Sequence, residues 1–123
     1  PFCSLNLIDS VLDATEKHDA AIPVVPINDT VRRITGGETK IVDRSGLFFV
    51  QTPQGFRPEL IYAASIEAKA KDIEVTDDAS LLEKIPQRVA SVEGEVHNIK
   101  ITTPADLEQA RLIINSKNHV RNK

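Results

Sequence analysis

The 123-residue sequence contains no methionine, no long apolar run and only one cysteine, Cys3. A single cysteine cannot close an intrachain disulfide, so a reducing, aqueous compartment is the expected environment. No segment approaches the roughly 18 consecutive apolar residues that a membrane-spanning helix needs, and we therefore expect no membrane partner. Because the chain opens on Pro1-Phe2 and has no methionine, we also expect it to be a piece of something longer.

Positive charge is not in excess either. Fifteen Lys and Arg residues stand against eighteen Asp and Glu, which gives a net charge of −3. A protein that grasps a nucleic-acid backbone needs a basic surface, so we expect no nucleic-acid partner, and any bound phosphate must be held by a few local groups. With 41% hydrophobic and 27% charged residues, the composition is typical of a single folded domain.

Familiar catalytic signatures are missing from the sequence. It has no phosphate-binding glycine loop followed by Lys-Ser/Thr, no dinucleotide fingerprint and no Gly-x-Ser-x-Gly elbow. The three histidines lack the spacing of metal ligands, and one cysteine cannot complete a zinc cluster. We therefore predict no metal-ligating residues in this chain.

The hydrophobic pattern predicts helices that alternate with short buried strands, which is typical of an α/β sandwich with one antiparallel excursion. Ser4 and Thr103 are suitable N-caps, and Pro58 and Pro104 suit the first turn of a helix. The predicted helices begin near residues 5, 58, 76 and 104, and the predicted strands cover residues 20–25, 47–50, 88–92 and 97–101.

Residues 27–47 have a different texture, because isolated apolar residues alternate with polar and charged ones around Gly36-Gly37. A Gly-Gly pair supplies positive φ angles at little cost, so the segment predicts two polar strands joined by a tight turn. An isolated hairpin is marginal in water, and this one must therefore lie on its own domain or on a partner. A surface loop remains the alternative interpretation.

Three clusters could carry chemistry. Arg44, at the end of the hairpin, suits bidentate capture of phosphate oxygens, and Lys100, near the end of the predicted 97–101 strand, supplies a point charge at a sheet edge. The third cluster combines residues 51–54 with 76–78, whose hydroxyls and backbone N–H groups can hold an anion. Each cluster also has an ordinary structural interpretation, so the residues alone indicate only a phosphate site.

Five segments occur in the order found in one enzyme family, and together they span nearly the whole chain. These segments are Asn28-Asp29-Thr30, Val42-Asp43-Arg44-Ser45-Gly46-Leu47, Gln51-Thr52-Pro53-Gln54-Gly55-Phe56, Thr76-Asp77-Asp78-Ala79-Ser80 and residues 98–107. In that order the chain resembles the C-terminal part of 2-C-methyl-D-erythritol 4-phosphate cytidylyltransferase, and Pro1-Phe2 looks like the end of that family's His-Asp-Ala-Ala-Arg-Pro-Phe segment.

The resemblance implies a Rossmann-like nucleotidyltransferase sandwich, of which residues 1–123 form the C-terminal portion, with a β-hairpin dimerisation arm at about residues 27–47. It implies a homodimer that uses Mg²⁺ and transfers a cytidylyl group from CTP to methylerythritol phosphate in non-mevalonate isoprenoid biosynthesis. The CTP-binding N-terminal portion is absent, so the chain alone is expected to be inactive. A bacterial cytoplasm is favoured over a plastid.

The resemblance also assigns site residues. Arg44 and Lys100 match the two residues that position methylerythritol phosphate, Thr30 and Thr52 match residues near the same substrate, and Thr76 matches one that lines its polyol. In the family the arm crosses to the other subunit. Thr30 and Arg44 are therefore expected to act in trans, and Lys100 and Thr76 in cis.

Two alternatives remain at this point. The related ribitol-5-phosphate cytidylyltransferase shares the Gln-Thr-Pro-Gln and Asn-Ile-Lys segments, but residues 42–47 and 76–80 fit the methylerythritol phosphate enzyme better. The other alternative is a non-catalytic dimerisation module, in which the hairpin is simply a clasp between subunits.

Overall fold

The computed structural model describes residues 1–72, 78–82 and 89–121, and it has the predicted mixture of helices and strands. Three helices, six strands and one 3₁₀ turn are present in these ranges. In chain order they are α1 (Leu5–Lys17), β1 (Ala20–Pro26), β2 (Val31–Thr35), β3 (Glu38–Val42), β4 (Phe48–Val50), β5 (Gly55–Phe56), α2 (Pro58–Ala70), the 3₁₀ turn (Ala79–Leu82), β6 (Val89–Glu93) and α3 (Pro104–Arg121).

Strand β1 is the centre of a mixed four-stranded sheet. It runs parallel to β6 along one edge, with Ala21 opposite Ala90. Along the other edge it is antiparallel to two short strands in turn, β5 near its start and β4 near its end, where Val24 lies opposite Val50. The α/β fold with an antiparallel excursion is therefore confirmed.

Pro23 lies buried in the middle of β1, where a proline would normally interrupt a ladder. Its carbonyl accepts a hydrogen bond from the N–H of Gln51, 2.8 Å away, in the segment that joins β4 to β5. The N and C=O of one strand residue face the same edge, so the missing N–H of Pro23 falls where neither β4 nor β5 pairs. The proline is tolerated because this edge has a gap there.

Helix α1 begins as its sequence predicts. The Ser4 side chain accepts a hydrogen bond from the N–H of Leu7 at 3.0 Å, which satisfies one of the free donors of the first turn. Leu7 and Val11, one turn apart, are buried where the helix packs on the sheet. A second apolar cluster joins β1 to α2 and the 3₁₀ turn, and its buried members are Ala20, Ala64 and Leu82.

The predicted hairpin is present as a separate two-stranded sheet. Strands β2 and β3 pair antiparallel with Thr35 opposite Glu38, and Gly36 and Gly37 have φ angles of 58° and 85°. Positive φ at both central residues is the requirement of a two-residue hairpin turn that matches strand twist. The hairpin pairs with no strand of the main sheet, and its Ile34 and Ile41 are 72% and 68% exposed.

The strand predicted at residues 97–101 is wrong. Among the residues that the structure describes, this segment has no ladder partner; instead the N–H of Asn98 donates to the carbonyl of Glu95 at 2.9 Å, which closes a turn. The polar and apolar residues do not form two faces, because the Asn98 side chain is turned into the protein and bonds to the loop after β4, whereas Ile101 is 39% exposed. Lys100 therefore lies on an extended segment between that turn and α3, not on a strand.

Candidate functional site

The loop of residues 51–54, between β4 and β5, is the meeting point of three of the five matching segments: its own, the one that contains Ala79 and the one that begins at Asn98. Gln51 makes three hydrogen bonds with its side-chain amide. Its Oε1 accepts from the N–H of Glu95 at 3.0 Å, and its Nε2 donates to the carbonyls of Glu95 at 2.8 Å and Asn98 at 3.2 Å. One side chain thus attaches the loop to the turn of residues 95–98.

Asn98 makes the reverse connection. Its side chain is only 8% exposed, and its Nδ2 donates to the carbonyl of Thr52 at 2.6 Å. Lys100 follows two residues later, so its Cα lies within about 7 Å of the Asn98 Cα. The structure therefore brings two of the predicted site residues, Thr52 and Lys100, to the same loop junction.

The segment that carries Lys100 is also held from its other side. Asp106, in the first turn of α3, accepts hydrogen bonds from the N–H groups of Thr102 and Thr103 at 3.0 and 2.7 Å, and the Thr103 hydroxyl accepts from the N–H of Asp106. The backbone N–H of Thr102, then that of Thr103, are the main causes that lower the pKa of Asp106 to about 2. Lys100 thus lies between two anchored points.

Gln54 joins the same loop to the matching segment that contains Ala79. Its Oε1 accepts from the N–H of Ala79 at 3.2 Å, at the start of the 3₁₀ turn. This places residues 78–82 beside the loop. Thr76, the predicted polyol contact, lies outside the described residues.

Gly94 makes the close approach of Gln51 to the turn sterically feasible. Its N–H donates to the Val24 carbonyl at 2.8 Å, in continuation of the β1–β6 ladder. A Cβ at this position would lie 3.0 Å from the same carbonyl oxygen and would collide with the Gln51 amide oxygen. Only glycine fits there without displacing the amide.

Arg44 lies in an exposed turn after β3. The carboxylate of Asp43 accepts from the N–H of Ser45 at 2.9 Å, and this backbone bond is the first cause of a lowered Asp43 pKa, followed by the Ser45 side chain. The Asp43 carboxylate is therefore bonded to Ser45. Among the described residues, neither the Arg44 guanidinium nor the Lys100 ammonium has an ion-pair partner.

The predicted site residues thus fall into two groups. Thr52 and Lys100 share the loop junction, whereas Arg44 and the exposed Thr30 flank the hairpin, and no hydrogen bond within the described ranges joins the two groups. Sequence analysis missed the roles of Gln51, Asn98 and Gly94. Amide side chains at strand ends were a signal, but nothing in the pattern says which backbone groups they reach.

Two further tests of the structure concern metals and membranes. In the ranges that the structure describes, no three His, Cys, Asp or Glu side chains cluster in a way that could hold a metal ion. Of the described helices, none combines the length and the apolar character needed to cross a bilayer.

Comparison with known proteins shows the family. The model of the family described as IspD, 2-C-methyl-D-erythritol 4-phosphate cytidylyltransferase, matches residues 1–116. The chain belongs to this cytidylyltransferase family. Enzymes of that name from Bacillus thuringiensis and Bacillus anthracis are each 46% identical to the whole chain, which covers 53% of each relative. The chain thus spans about half the length of these curated relatives.

Solved structures support the same assignment. The methylerythritol phosphate cytidylyltransferase of Thermus thermophilus superposes with a TM-score of 0.86 and 40% identity, over 94% of this chain and 57% of that one. The corresponding synthase of Anaerococcus prevotii gives 0.84 and 34%, over 94% and 54%. The predicted resemblance and the nucleotidyltransferase fold are confirmed, and the ribitol phosphate alternative is not favoured. The role of the hairpin in dimerisation stays a prediction.

Proposed function

We propose that this chain supplies the acceptor site of a cytidylyltransferase that joins the cytidylyl group of CTP to 2-C-methyl-D-erythritol 4-phosphate and releases pyrophosphate. The supporting observation is Lys100, whose ammonium has no ion-pair partner among the described residues and whose backbone lies two residues from Asn98, the side chain that bonds to the Thr52 carbonyl. A cation held at an exposed junction and left without a carboxylate is suited to a phosphate. The family shares the activity that the proposal names.

The chemistry requires several negative charges to come together. A phosphate oxygen of the acceptor forms a bond to the α-phosphorus of CTP, and the bond from that phosphorus to the departing pyrophosphate breaks. Lys100 and Arg44 neutralise and orient the acceptor phosphate, while Thr30, Thr52 and Thr76 offer hydroxyls to the same substrate. Mg²⁺, bound with CTP, supplies further neutralisation of phosphate charge.

The site is completed by a second copy of the chain. The hairpin pairs with no strand of the main sheet and leaves Ile34 and Ile41 exposed, which is unfavourable for a hairpin in water. In a homodimer the hairpin lies on the twin subunit, so Thr30 and Arg44 of one subunit meet Lys100 of the other. We place this dimer in the bacterial cytoplasm, in isoprenoid precursor synthesis; the named relatives are bacterial.

The first experiment tests the acceptor. A full-length enzyme that carries this chain as its C-terminal half, with the N-terminal half of the Bacillus anthracis relative if needed, is assayed for pyrophosphate release with CTP and Mg²⁺. We expect turnover with methylerythritol phosphate and loss of turnover in Lys100→Ala. Lys69→Ala, which removes an exposed lysine from α2, is the matched control. Turnover with ribitol 5-phosphate alone would refute the proposal.

The second experiment tests the shared site. Subunits with Arg44→Ala and subunits with Lys100→Ala are mixed and allowed to exchange. In a twofold dimer, each heterodimer has one site with both cations, so random exchange should restore about a quarter of the wild-type activity. No recovery after exchange has been verified by native mass spectrometry would show that the hairpin acts in cis.

A further inference from the structure

Within the proposed function, on which this inference rests, we propose that Gln51 and Asn98 are positioning residues that hold the Lys100 ammonium in register with Thr52. The two side chains form a reciprocal pair of links between the 51–54 loop and the 95–98 turn. Neither of them needs to touch the substrate. Their task is to fix the distance between two groups that do.

Gln51 extends the hydrogen bonding of the sheet by one residue. Strand β4 ends at Val50, and the backbone N–H of Gln51 still donates to β1, while the Gln51 side chain bonds to the 95–98 turn. With an acceptor and a donor bonded to the N–H and C=O of Glu95, the Gln51 amide imitates the pairing of a neighbouring strand. This keeps the turn at a fixed position without a ladder.

Asn98 locks the junction from the opposite side. The side chain is nearly buried, and its donor bond to the Thr52 carbonyl satisfies a polar group that would otherwise be costly to bury. A residue that removed this bond would let the two segments slide. Because catalytic positioning is sensitive to displacements of about 1 Å, a small slide would separate Lys100 from the acceptor phosphate.

The 95–98 turn is also held on its other side. Gln51 and Asn98 therefore control the position of the turn relative to the 51–54 loop. The Glu95 carboxylate accepts from the backbone N–H of Ser4 at 3.2 Å and, through its other oxygen, from the Ser4 hydroxyl. Ser4 is the N-cap of α1. The far side of the turn is therefore fixed to the rest of the domain, and the near side depends on the two amides.

The test uses Asn98→Leu and Gln51→Met, which keep side-chain size, introduce no charge and remove the hydrogen bonds. Asn6→Leu and Gln109→Met make the same chemical changes on exposed positions of α1 and α3 and serve as matched controls. In the full-length enzyme we expect the KM for methylerythritol phosphate to rise about tenfold, because the acceptor cation is misplaced. The KM for CTP should stay within about twofold of the wild-type value.

A double-mutant cycle separates positioning from ordinary stabilisation. If Asn98 acts through Lys100, Asn98→Leu should change acceptor kcat/KM by less than about twofold once Lys100 is already Ala. Equal losses in both backgrounds would overturn the inference, as would a loss that only follows the folded fraction measured by circular dichroism. Should Asn98→Leu fold poorly, the half-buried Gln51 carries the same cycle through Gln51→Met.

The two proposals fail in different ways. If Lys100→Ala leaves both the turnover and the acceptor KM unchanged, the proposed site itself is wrong. If Lys100→Ala impairs the enzyme and the cycle is additive, the acceptor site stands and the positioning role of the two amides is refuted.

Discussion

Two proposed site cations are held in different ways: Arg44 by the hairpin, and Lys100 by the segment bonded to the 51–54 loop. Within the described part of the chain the hairpin strands pair with each other and with no further strand, and Arg44 follows them in an exposed turn closed by the Asp43–Ser45 bond. The 51–54 loop is attached to distant segments by side-chain amides, and Lys100 lies between Asn98 and the capped start of α3. The backbone around Lys100 is thus held by contacts within one chain. Among the described residues no hydrogen bond joins the hairpin side to this junction, so the position of Arg44 relative to Lys100 depends on the surface against which the hairpin packs.

The largest expected effect is on the hairpin side. In the proposed full-length dimer, Arg44→Ala should lower turnover about 100-fold, because the proposed charge-assisted phosphate contact is lost where charge develops. Steady-state kinetics and sedimentation measure turnover and dimer content together, and Arg33→Ala, which removes another exposed cation from β2, is the control. A dimer that dissociates while its remaining sites work normally would favour the clasp interpretation.

The next effect concerns the packing between the 51–54 loop and the 95–98 turn. Gly94→Ala should lower the free energy of unfolding by about 2 kcal/mol, because the added methyl group collides with the Gln51 amide and crowds the Val24 carbonyl. Urea unfolding followed by circular dichroism measures the change. An unchanged urea midpoint would mean that the Gln51 side chain can move aside. The 51–54 loop would then be held less firmly than the contrast with the hairpin assumes.

The same substitution on the hairpin should act locally. Gly37 has a φ angle of 85° and no atom within 4 Å of an added Cβ, so Gly37→Ala costs about 1 kcal/mol through backbone conformation alone. Hydrogen exchange should accelerate at the hairpin amides, while amides of β1 keep their protection. Equal acceleration in both sheets would show that the hairpin is coupled to the core of its own chain.

The smallest effect concerns the far anchor of the Lys100 segment. Hydrogen bonds from Thr102 and Thr103 lower the pKa of Asp106 to about 2 in the folded chain, so its contribution to stability is complete above the ordinary pKa of the unfolded chain and is lost as the pH falls towards 2. The loss of ellipticity at 222 nm between pH 5 and 2 should be smaller in Asp106→Asn than in the wild type. Identical acid curves would contradict the role of this cap.

Much of the fold was predictable because it rests on local rules. Ser4 and Thr103 cap helices, Pro58 begins one, and Gly36-Gly37 forms the hairpin turn, each for a reason contained in a few neighbouring residues. The strand predicted around Lys100 failed for the opposite reason. Its alternating pattern does not reveal that Asn98 is buried against a partner 46 residues away.

The candidate site shows the same difference between what short segments reveal and what distant contacts decide. The resemblance picked out Thr52 and Lys100, which the structure brings to one junction, and Arg44 and Thr30, which it leaves on the hairpin. The roles of the amides that hold the junction went unrecognised, because their hydrogen-bond partners are distant in the sequence. Their partners are backbone groups, and a sequence carries no record of which backbone groups are left unpaired.

By itself, the sequence determined where helices and the hairpin turn begin and that a phosphate-binding family is represented here, since capping, backbone freedom and charge type are properties of short segments. Tertiary structure decided that Lys100 sits on an anchored segment outside the sheet, and that Gln51, Asn98 and Gly94 hold it there. Those contacts depend on chain segments separated by more than forty residues coming within hydrogen-bond distance, which only the packed sheet brings about.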